Sequence, residues 1–235
     1  MITPQHNFVA IITARGGSKR LKNKNILPMA GKPLITHTLD SAFLAKRFAA
    51  VVVTSDSKDI LDIAENSGAH TIQRPAELGT DLTTSEEVLR HALRTIKENE
   101  ICPTATDFVL LQPTSPLRTD HHIIEAIDIY NRLGLKSLAS VVRCHHPPQK
   151  TLVKNADGTI APLISWEALS MPRQLLGDAY QTNGAIYISD IKAFIETSSF
   201  FTAPFHIYEM TDRDSIDIDD ENDFQLAERL MSDQK

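Results

Sequence analysis

Residues 8–25 read FVAIITARGGSKRLKNKN, and this stretch decides the fold. Its first part, Phe8 to Ile12, is an unbroken apolar run without alternation, the pattern of a central parallel strand covered by helices on both faces. Such a strand opens directly into a glycine-rich basic turn carrying Arg15, Lys19, Arg20, Lys22 and Lys24, with Lys32 close behind. No acidic residue occurs before Asp40, so the first 39 residues hold six of the 24 Lys and Arg and none of the 30 Asp and Glu. Positive charge is therefore gathered at one end of a chain whose formal net charge is −6. Gly16 and Gly17 would let the backbone approach a ligand and point N–H groups at it, as loops after a first strand do around phosphates. The residues alone leave two readings open, a polyphosphate cradle or a solvated basic loop. Neither Gly-x-x-x-x-Gly-Lys-Ser/Thr nor Gly-x-Gly-x-x-Gly is present, so the turn is not one of the two common phosphate signatures.

Outward from this stretch, strands and helices alternate. Pro33 to Lys46 reads as a helix, with Leu34, Ile35, Leu39, Ala42 and Phe43 on a broad apolar face. Ala50 to Thr54 reads as a second buried strand, and Ser55-Asp56-Ser57 leads into a helix ending near Gly68. Thr71 to Gln73 is a short strand, and Thr83-Thr84-Ser85-Glu86-Glu87 carries a capping-box pattern that opens a helix toward Asn99. Phe108 to Leu111 is a strand closed by the rigid turn Gln112 to Arg118. A helix over 120–133 stops at Gly134, and Ser137 to Val142 is a further strand. The spacing predicts an α/β fold with a doubly wound, mostly parallel sheet, and ligands of such sheets sit at the carboxyl ends of the strands.

Between Arg143 and Tyr180 that rhythm is lost. Pro147, Pro148, Pro162 and Pro172 interrupt it, and Asn155-Ala156-Asp157-Gly158 reads as a hairpin tip. The expected organisation is a nucleotide-binding α/β domain built from residues 1–142 and 181–235, with residues 143–180 forming a small antiparallel excursion suited to subunit pairing or to covering a ligand. Gly184 to Ile188 returns to the sheet, Asp190 to Glu196 is a short helix, Phe205 to Met210 a strand and Asp220 to Met231 a closing helix.

Near the carboxyl end lies Asp214-Ser215-Ile216-Asp217-Ile218-Asp219. In extended backbone Asp217 and Asp219 share one face and Ile216 and Ile218 the other. Two converging carboxylates suit Mg²⁺, which takes one or two of them and fills its shell with water and substrate phosphate. The same residues also suit an acidic entry to the last helix. Asp217, Asp219 and Glu228 match three positions of a calcium-binding EF-hand loop, but Asn222 stands where that loop needs glycine.

Composition narrows the field. Hydrophobic residues make up 42% and charged residues 23% of the chain, ordinary for a soluble globular protein. No apolar run approaches a membrane span and no leader pattern opens the chain, so a cytoplasmic protein without membrane contact is expected. The acidic balance argues against nucleic-acid binding. Cys102 and Cys144 lack metal-ligand spacing, and the pairs His121-His122 and His145-His146 lack a third ligand. No nucleophile motif occurs, which favours direct displacement over a covalent intermediate.

Ala14 to Lys19, then Lys24-Asn25 and Gly31-Lys32-Pro33-Leu34, resemble the opening of sugar-activating cytidylyltransferases, especially the CMP-sialic acid synthetase (N-acylneuraminate cytidylyltransferase) family. Leu110 to Arg118, Met171-Pro172-Arg173-Gln174, Asn183 to Ile188 and Ser215 to Asp219 extend the likeness over nearly the whole chain. The resemblance implies an enzyme joining CTP to a nine-carbon 2-keto sugar acid, in a homodimer whose excursion packs on the neighbouring subunit. Legionaminic acid, Kdo or another acidic sugar, and a non-catalytic CTP-binding module, are the alternatives. Carried over by position, Arg15, Gly16, Ser18, Lys24, Asn25, Arg74 and Ser85 would contact the nucleotide, with Arg15, Lys24 and Asp217 catalytic and Asp217 and Asp219 holding Mg²⁺. Gln112, Lys150, Arg173, Asn183 and Tyr187 would line the sugar pocket, with Phe200 and Phe201 reaching a partner's pocket. Gln181-Thr182 stands where family members often have Arg, which leaves Arg173 as the guanidinium to fork the sugar carboxylate. An extra residue in Pro147-Pro148-Gln149 displaces Lys150 from its family spacing.

Overall fold

The structure, a computed structural model, describes residues 7–18, 20–80 and 83–232; Lys19 of the basic turn lies outside them. Strand β1 (Phe8–Thr13) is buried on both sides. Phe8, Ala10 and Ile12 face one apolar core and Val9 and Ile11 another, which is why the run shows no alternation. A small antiparallel pair, β2 (Pro28–Met29) and β3 (Lys32–Pro33), follows the basic turn and leads into helix α1 (Leu34–Ala45). Pro33 thus precedes the helix rather than opening it.

Strand β4 (Phe48–Ser55), helix α2 (Lys58–Asn66) and strand β5 (His70–Gln73) complete the first crossover. Helix α3 (Ser85–Glu98) starts on the expected capping box, in which Thr84 Oγ1 accepts from the Glu87 N–H and the Glu87 carboxylate accepts from the Thr84 N–H. Strand β6 (Asp107–Leu110), helix α4 (Asp120–Leu133) and strand β7 (Ser137–Arg143) come next. Gly134, at φ +59°, ends α4 in the left-handed conformation.

The excursion leaves from the end of β7. It contains a hairpin of β8 (Leu152–Lys154) and β9 (Ile160–Pro162) and a short helix α5 (Trp166–Ser170). Strand β10 (Tyr180–Asp190) brings the chain back, followed by helix α6 (Ile191–Thr197), strand β11 (Phe205–Glu209) and helix α7 (Glu221–Ser232).

The main sheet has the order β11-β7-β10-β6-β1-β4-β5. Every pairing in it is parallel except those of β10, which runs antiparallel to both β6 and β7. Helices α1, α2 and α4 cover one face, and α3 and α6 the other. A third, smaller core joins Leu21, Met29 and Leu34 to Ile218, Phe224 and Ala227. It ties the basic turn to the acidic stretch, though nearly 200 residues separate them.

One buried side chain holds the rim of the sheet in shape. Arg118 is 1% exposed; its Nη1 donates to the carbonyls of Gln112 at 3.1 Å and Ala185 at 3.0 Å, and its Nη2 donates to Thr38 Oγ1 at 2.7 Å. No carboxylate among the described residues pairs with it, and burial alone pulls its pKa down to about 9. Three acceptors from three segments therefore replace a counter-ion. Arg118→Met keeps the volume but strands those acceptors. It should cost about 2–4 kcal/mol, because each buried unsatisfied group costs ~1–3 kcal/mol. Urea unfolding checks this, and an unchanged midpoint and slope would refute the assignment.

Candidate active site

A cavity of about 350 Å³ opens at the carboxyl ends of β1 and β6. Arg15, Ser18, Lys24 and Asn25 line it from the basic turn, and Arg74, Leu78 and Thr80 from the segment after β5. Thr83, Thr84, Ser85 and Val88 contribute from the start of α3, Gln112, Pro113 and Thr114 from the turn after β6, and Asp217 and Asp219 from the acidic stretch. Cationic turn and acidic pair thus share one cleft, as required if both act on one ligand.

The basic turn is braced from behind. Asn25 is 5% exposed, and its Nδ2 donates to the Arg15 carbonyl at 2.9 Å, fixing the turn; its buried Oδ1 has no partner among the described residues. Arg74, 4% exposed, donates from Nη2 to the Ala14 carbonyl at 3.2 Å and to Asp56 Oδ1 at 3.3 Å. Gly16 departs from expectation. Its N–H donates to Asp56 Oδ1 at 3.0 Å rather than to a ligand, and a Cβ there would lie 2.8 Å from Ser57 Cβ. Gly16 is thus a packing glycine, whereas Gly17 has open space around it.

The acidic stretch does not form a strand, yet its alternation holds. Ile218 is fully buried and Ile216 packs beside it, while Asp217 and Asp219 face the cavity. Two bonds hold the segment: the Ile218 N–H donates to the Thr114 carbonyl at 2.8 Å, and Lys24 Nζ donates to the Ile218 carbonyl. Protein surrounding the cleft raises the pKa of Asp217, an effect opposed by a hydrogen bond from Thr114 and reinforced by Asp219. Lys24 is held below the usual lysine range by burial, with Asp217 and Asp219 pulling the other way. Capping of α7 falls to neighbours instead: Asp220 Oδ1 accepts from the N–H groups of Asn222 and Asp223.

The expected sugar-pocket residues divide. Gln112 lines the cavity and lies over Gly184, where a Cβ would come within 2.5 Å of Gln112 Oε1. Asn183 is a brace: buried, it donates from Nδ2 to Ser215 Oγ at 2.9 Å and Met210 Sδ at 3.4 Å, and its Oδ1 accepts from Ser140 Oγ and the Ala185 N–H. With all four bonds made inside the fold, it has no spare polar atom for a ligand. Tyr187 is half-buried and stacks on Phe200 at 4.9 Å, and burial raises its pKa. Phe200 is 7% exposed within its own chain, so it does not reach out as expected, because Tyr187 and Phe194 enclose it. Phe201 is exposed. Lys150 donates to the Leu169 carbonyl, and Arg173 donates to the His145 carbonyl and lines a separate cavity at the root of the excursion. Neither belongs to the main cleft of this chain.

Sequence reasoning passed over Asp56, Thr114 and Arg118. Asp56 stood in a turn read only as a helix entry, and Thr114 and Arg118 in a rigid turn whose family likeness assigned a contact to Gln112 alone. No signal in one sequence shows that partners of these three residues lie 18, 104 and 80 positions away along the chain, respectively.

The cytidylyltransferase family profile matches residues 9–230. N-acylneuraminate cytidylyltransferase of Escherichia coli O18:K1:H7 is 39% identical over 229 residues, covering 94% of this chain and 51% of that protein. CMP-N,N'-diacetyllegionaminic acid synthase of Legionella pneumophila is 34% identical over 227 residues, covering 95% of this chain and 96% of its own length. The chain therefore spans about half the length of the first of these relatives and almost all of the second. A solved CMP:2-keto-3-deoxy-manno-octonic acid synthetase complexed with CTP superposes with a TM-score of 0.73 at 17% identity, covering 97% of this chain and 99% of that one.

Gly184, at φ +76°, is the strictest backbone requirement at the cleft. Gly184→Ala should lose at least about 1 kcal/mol from the left-handed conformation alone, read as a Tm lowered by roughly 2–4 °C or more. A variant as stable as the parent would refute the backbone requirement at this position, since a Gln112 side chain that moved aside would still leave the left-handed conformation strained.

Proposed function

Since the chain belongs to the cytidylyltransferase family, we propose that it activates an acidic nine-carbon 2-keto sugar of the sialic acid type with CTP, giving the CMP-sugar and pyrophosphate. One observation carries this reading: Arg15 and Lys24 line the same cavity as Asp217 and Asp219. In the reaction the anomeric hydroxyl attacks the α-phosphorus, the bond to the bridging oxygen breaks, and pyrophosphate leaves with that electron pair. The hydroxyl proton is released.

Arg15, Lys24 and Asn25 would hold the triphosphate, with Ser18 beside them. Arg74 and Ser85 stand at the wall available to the nucleoside, where the hydroxyls of Thr80, Thr83 and Thr84 offer partners to a polar base and Leu78 and Val88 offer it apolar contact. Gln112, over Gly184, would meet the sugar. Fixed donors and cations of this kind stabilise charge where it builds at phosphorus without reorganising during the step.

Asp217 and Asp219 fit Mg²⁺: both are hard oxygen donors, and among the described residues they are the two carboxylates lining a cleft that leaves room for water and phosphate oxygens. Bound there, Mg²⁺ would offset phosphate charge and polarise the reacting centre. Thr114 keeps Asp217 turned toward the cleft, and Lys24 keeps the segment in place through the Ile218 carbonyl.

The excursion exposes Leu152, Ile160, Leu163, Ile164, Trp166 and Leu175, each by more than half. So much apolar surface on one projection suits a contact with a second copy of the chain. A homodimer is part of the proposal, with Lys150, Arg173 and Phe201 acting across that contact. No helix among the described residues is long and apolar enough to cross a membrane. The free thiols of Cys102 and Cys144 suit the reducing cytoplasm.

Pyrophosphate release from CTP and N-acetylneuraminate tests the activity. Asp217→Ala should lower kcat by about a hundredfold or more, the size of effect seen when one preorganised charge-stabilising group is removed. A folded variant with near-parental turnover would reject the role given to Asp217. Legionaminic acid and Kdo in the same assay decide the sugar. Sedimentation of the parent should give a dimer and of Trp166→Glu a monomer; a parent that sediments as a monomer would overturn the pairing.

A further inference from the structure

We propose that Asp56 is a positioning residue of the nucleotide site, its carboxylate joining the phosphate turn to the segment at 74–79 that forms the opposite wall. This rests on the CTP reading above but assigns a residue outside it, since Asp56 does not line the cleft.

Three contacts converge on the Asp56 side chain, and two more tie its neighbours to the turn. Asp56 Oδ1 accepts from the Gly16 N–H at 3.0 Å and from Arg74 Nη2 at 3.3 Å. The same Arg74 nitrogen donates to the Ala14 carbonyl at 3.2 Å, so the guanidinium and the turn grip each other as well as Asp56. A Cβ on Gly79 would sit 2.8 Å from Asp56 Oδ2, which means that the wall is packed directly on the carboxylate. A Cβ on Gly16 would sit 2.8 Å from Ser57 Cβ, so the phosphate turn is seated on the next residue as well.

The chemistry follows from this geometry. Arg74 is almost fully buried, with its Nε unpartnered among the described residues, and Asp56 forms an ion pair with it at 4% and 23% side-chain exposure. A buried guanidinium needs acceptors at fixed positions, and at Arg74 these are the Asp56 carboxylate and the Ala14 carbonyl. Without Asp56 the Gly16 N–H loses its acceptor, Arg74 loses its counter-ion, and Arg15 and Ser18 are carried on a turn no longer registered against Leu78 and Thr80. The triphosphate and nucleoside ends of one ligand are then no longer held at a fixed separation.

The test measures CTP binding by calorimetry, with stability and the KM for sugar alongside. Asp56→Ala should weaken CTP binding by about tenfold or more, with the sugar KM within twofold of the parent. Asp56→Asn keeps an oxygen for both donors and should recover most of the affinity, to within about threefold. Gly79→Ala, which pushes on Oδ2 from the other side, should weaken CTP binding in the same sense. If Asp56→Ala does not fold, Asp56→Asn and Gly79→Ala carry the test. Folded variants that bind CTP as the parent does would overturn the inference, as would equal losses for CTP and sugar. A parent chain that binds no CTP removes the proposed function and this inference with it, whereas parental binding with unchanged variants removes this inference alone.

Discussion

The burial of one isoleucine between two aspartates is the constraint on which the cleft depends. Ile218 is fully buried against Leu21, Met29, Leu34 and Phe224, a placement that contributes roughly 1.5–3 kcal/mol for a side chain of this size. Its N–H is taken by the Thr114 carbonyl and its carbonyl by Lys24. With the residue fixed at all three points, Asp217 and Asp219 have one direction left, into the cavity. The basic turn is fixed by the same contact, since Leu21 and Lys24 belong to it. Charge placement here is thus a consequence of hydrophobic packing.

That arrangement brings opposite charges together before any ligand arrives. Lys24 sits close enough to Asp217 and Asp219 for each to influence its proton affinity, and Arg20 Nη1 approaches Asp219 Oδ2 at 3.4 Å. The Arg20 pair is largely exposed and adds little to stability. The Lys24 contacts are half-buried and shape the cleft more. An anionic ligand would compete with the two aspartates for the cations, and a divalent cation would relieve that competition by occupying the carboxylates.

The sheet explains why the other contributors meet there. Parallel strands β1, β4 and β6 deliver their carboxyl ends, and with them the basic turn, the Asp56 turn and the Gln112 turn, to one rim. Strand β10 runs the opposite way, so its early residues Asn183 and Gly184 reach the rim where β6 and β7 end. Asn183 then ties Ser140, Ala185 and Ser215 together, and Gly184 leaves space for Gln112. Reversing one strand places two further braces behind the cleft without lengthening any loop.

Much of this was legible in the chain itself. An apolar run at Phe8 to Ile12 that faces helices on both sides, capping at Thr84, a glycine stop at Gly134, and a hairpin tip at Asn155 to Gly158 are local rules, and each is written within a few residues. The alternation of Asp217 and Asp219 with Ile216 and Ile218 is of the same kind. What local rules could not supply was the occupancy of polar groups. Gly16 looked available to a phosphate until Asp56 was found on its N–H; Asn183 looked like a ligand contact until its four bonds were found inside the fold; Phe200 looked free until Tyr187 and Phe194 closed over it. By itself the sequence determined which residues carry charge and which faces must be buried, because helix and strand periodicity are properties of neighbouring positions. Only the tertiary structure decided which of those polar groups remain open to a ligand, because a hydrogen bond is a matter of distance in space, and partners such as Asn183 and Ser215, 32 positions apart, become neighbours only when the chain is folded.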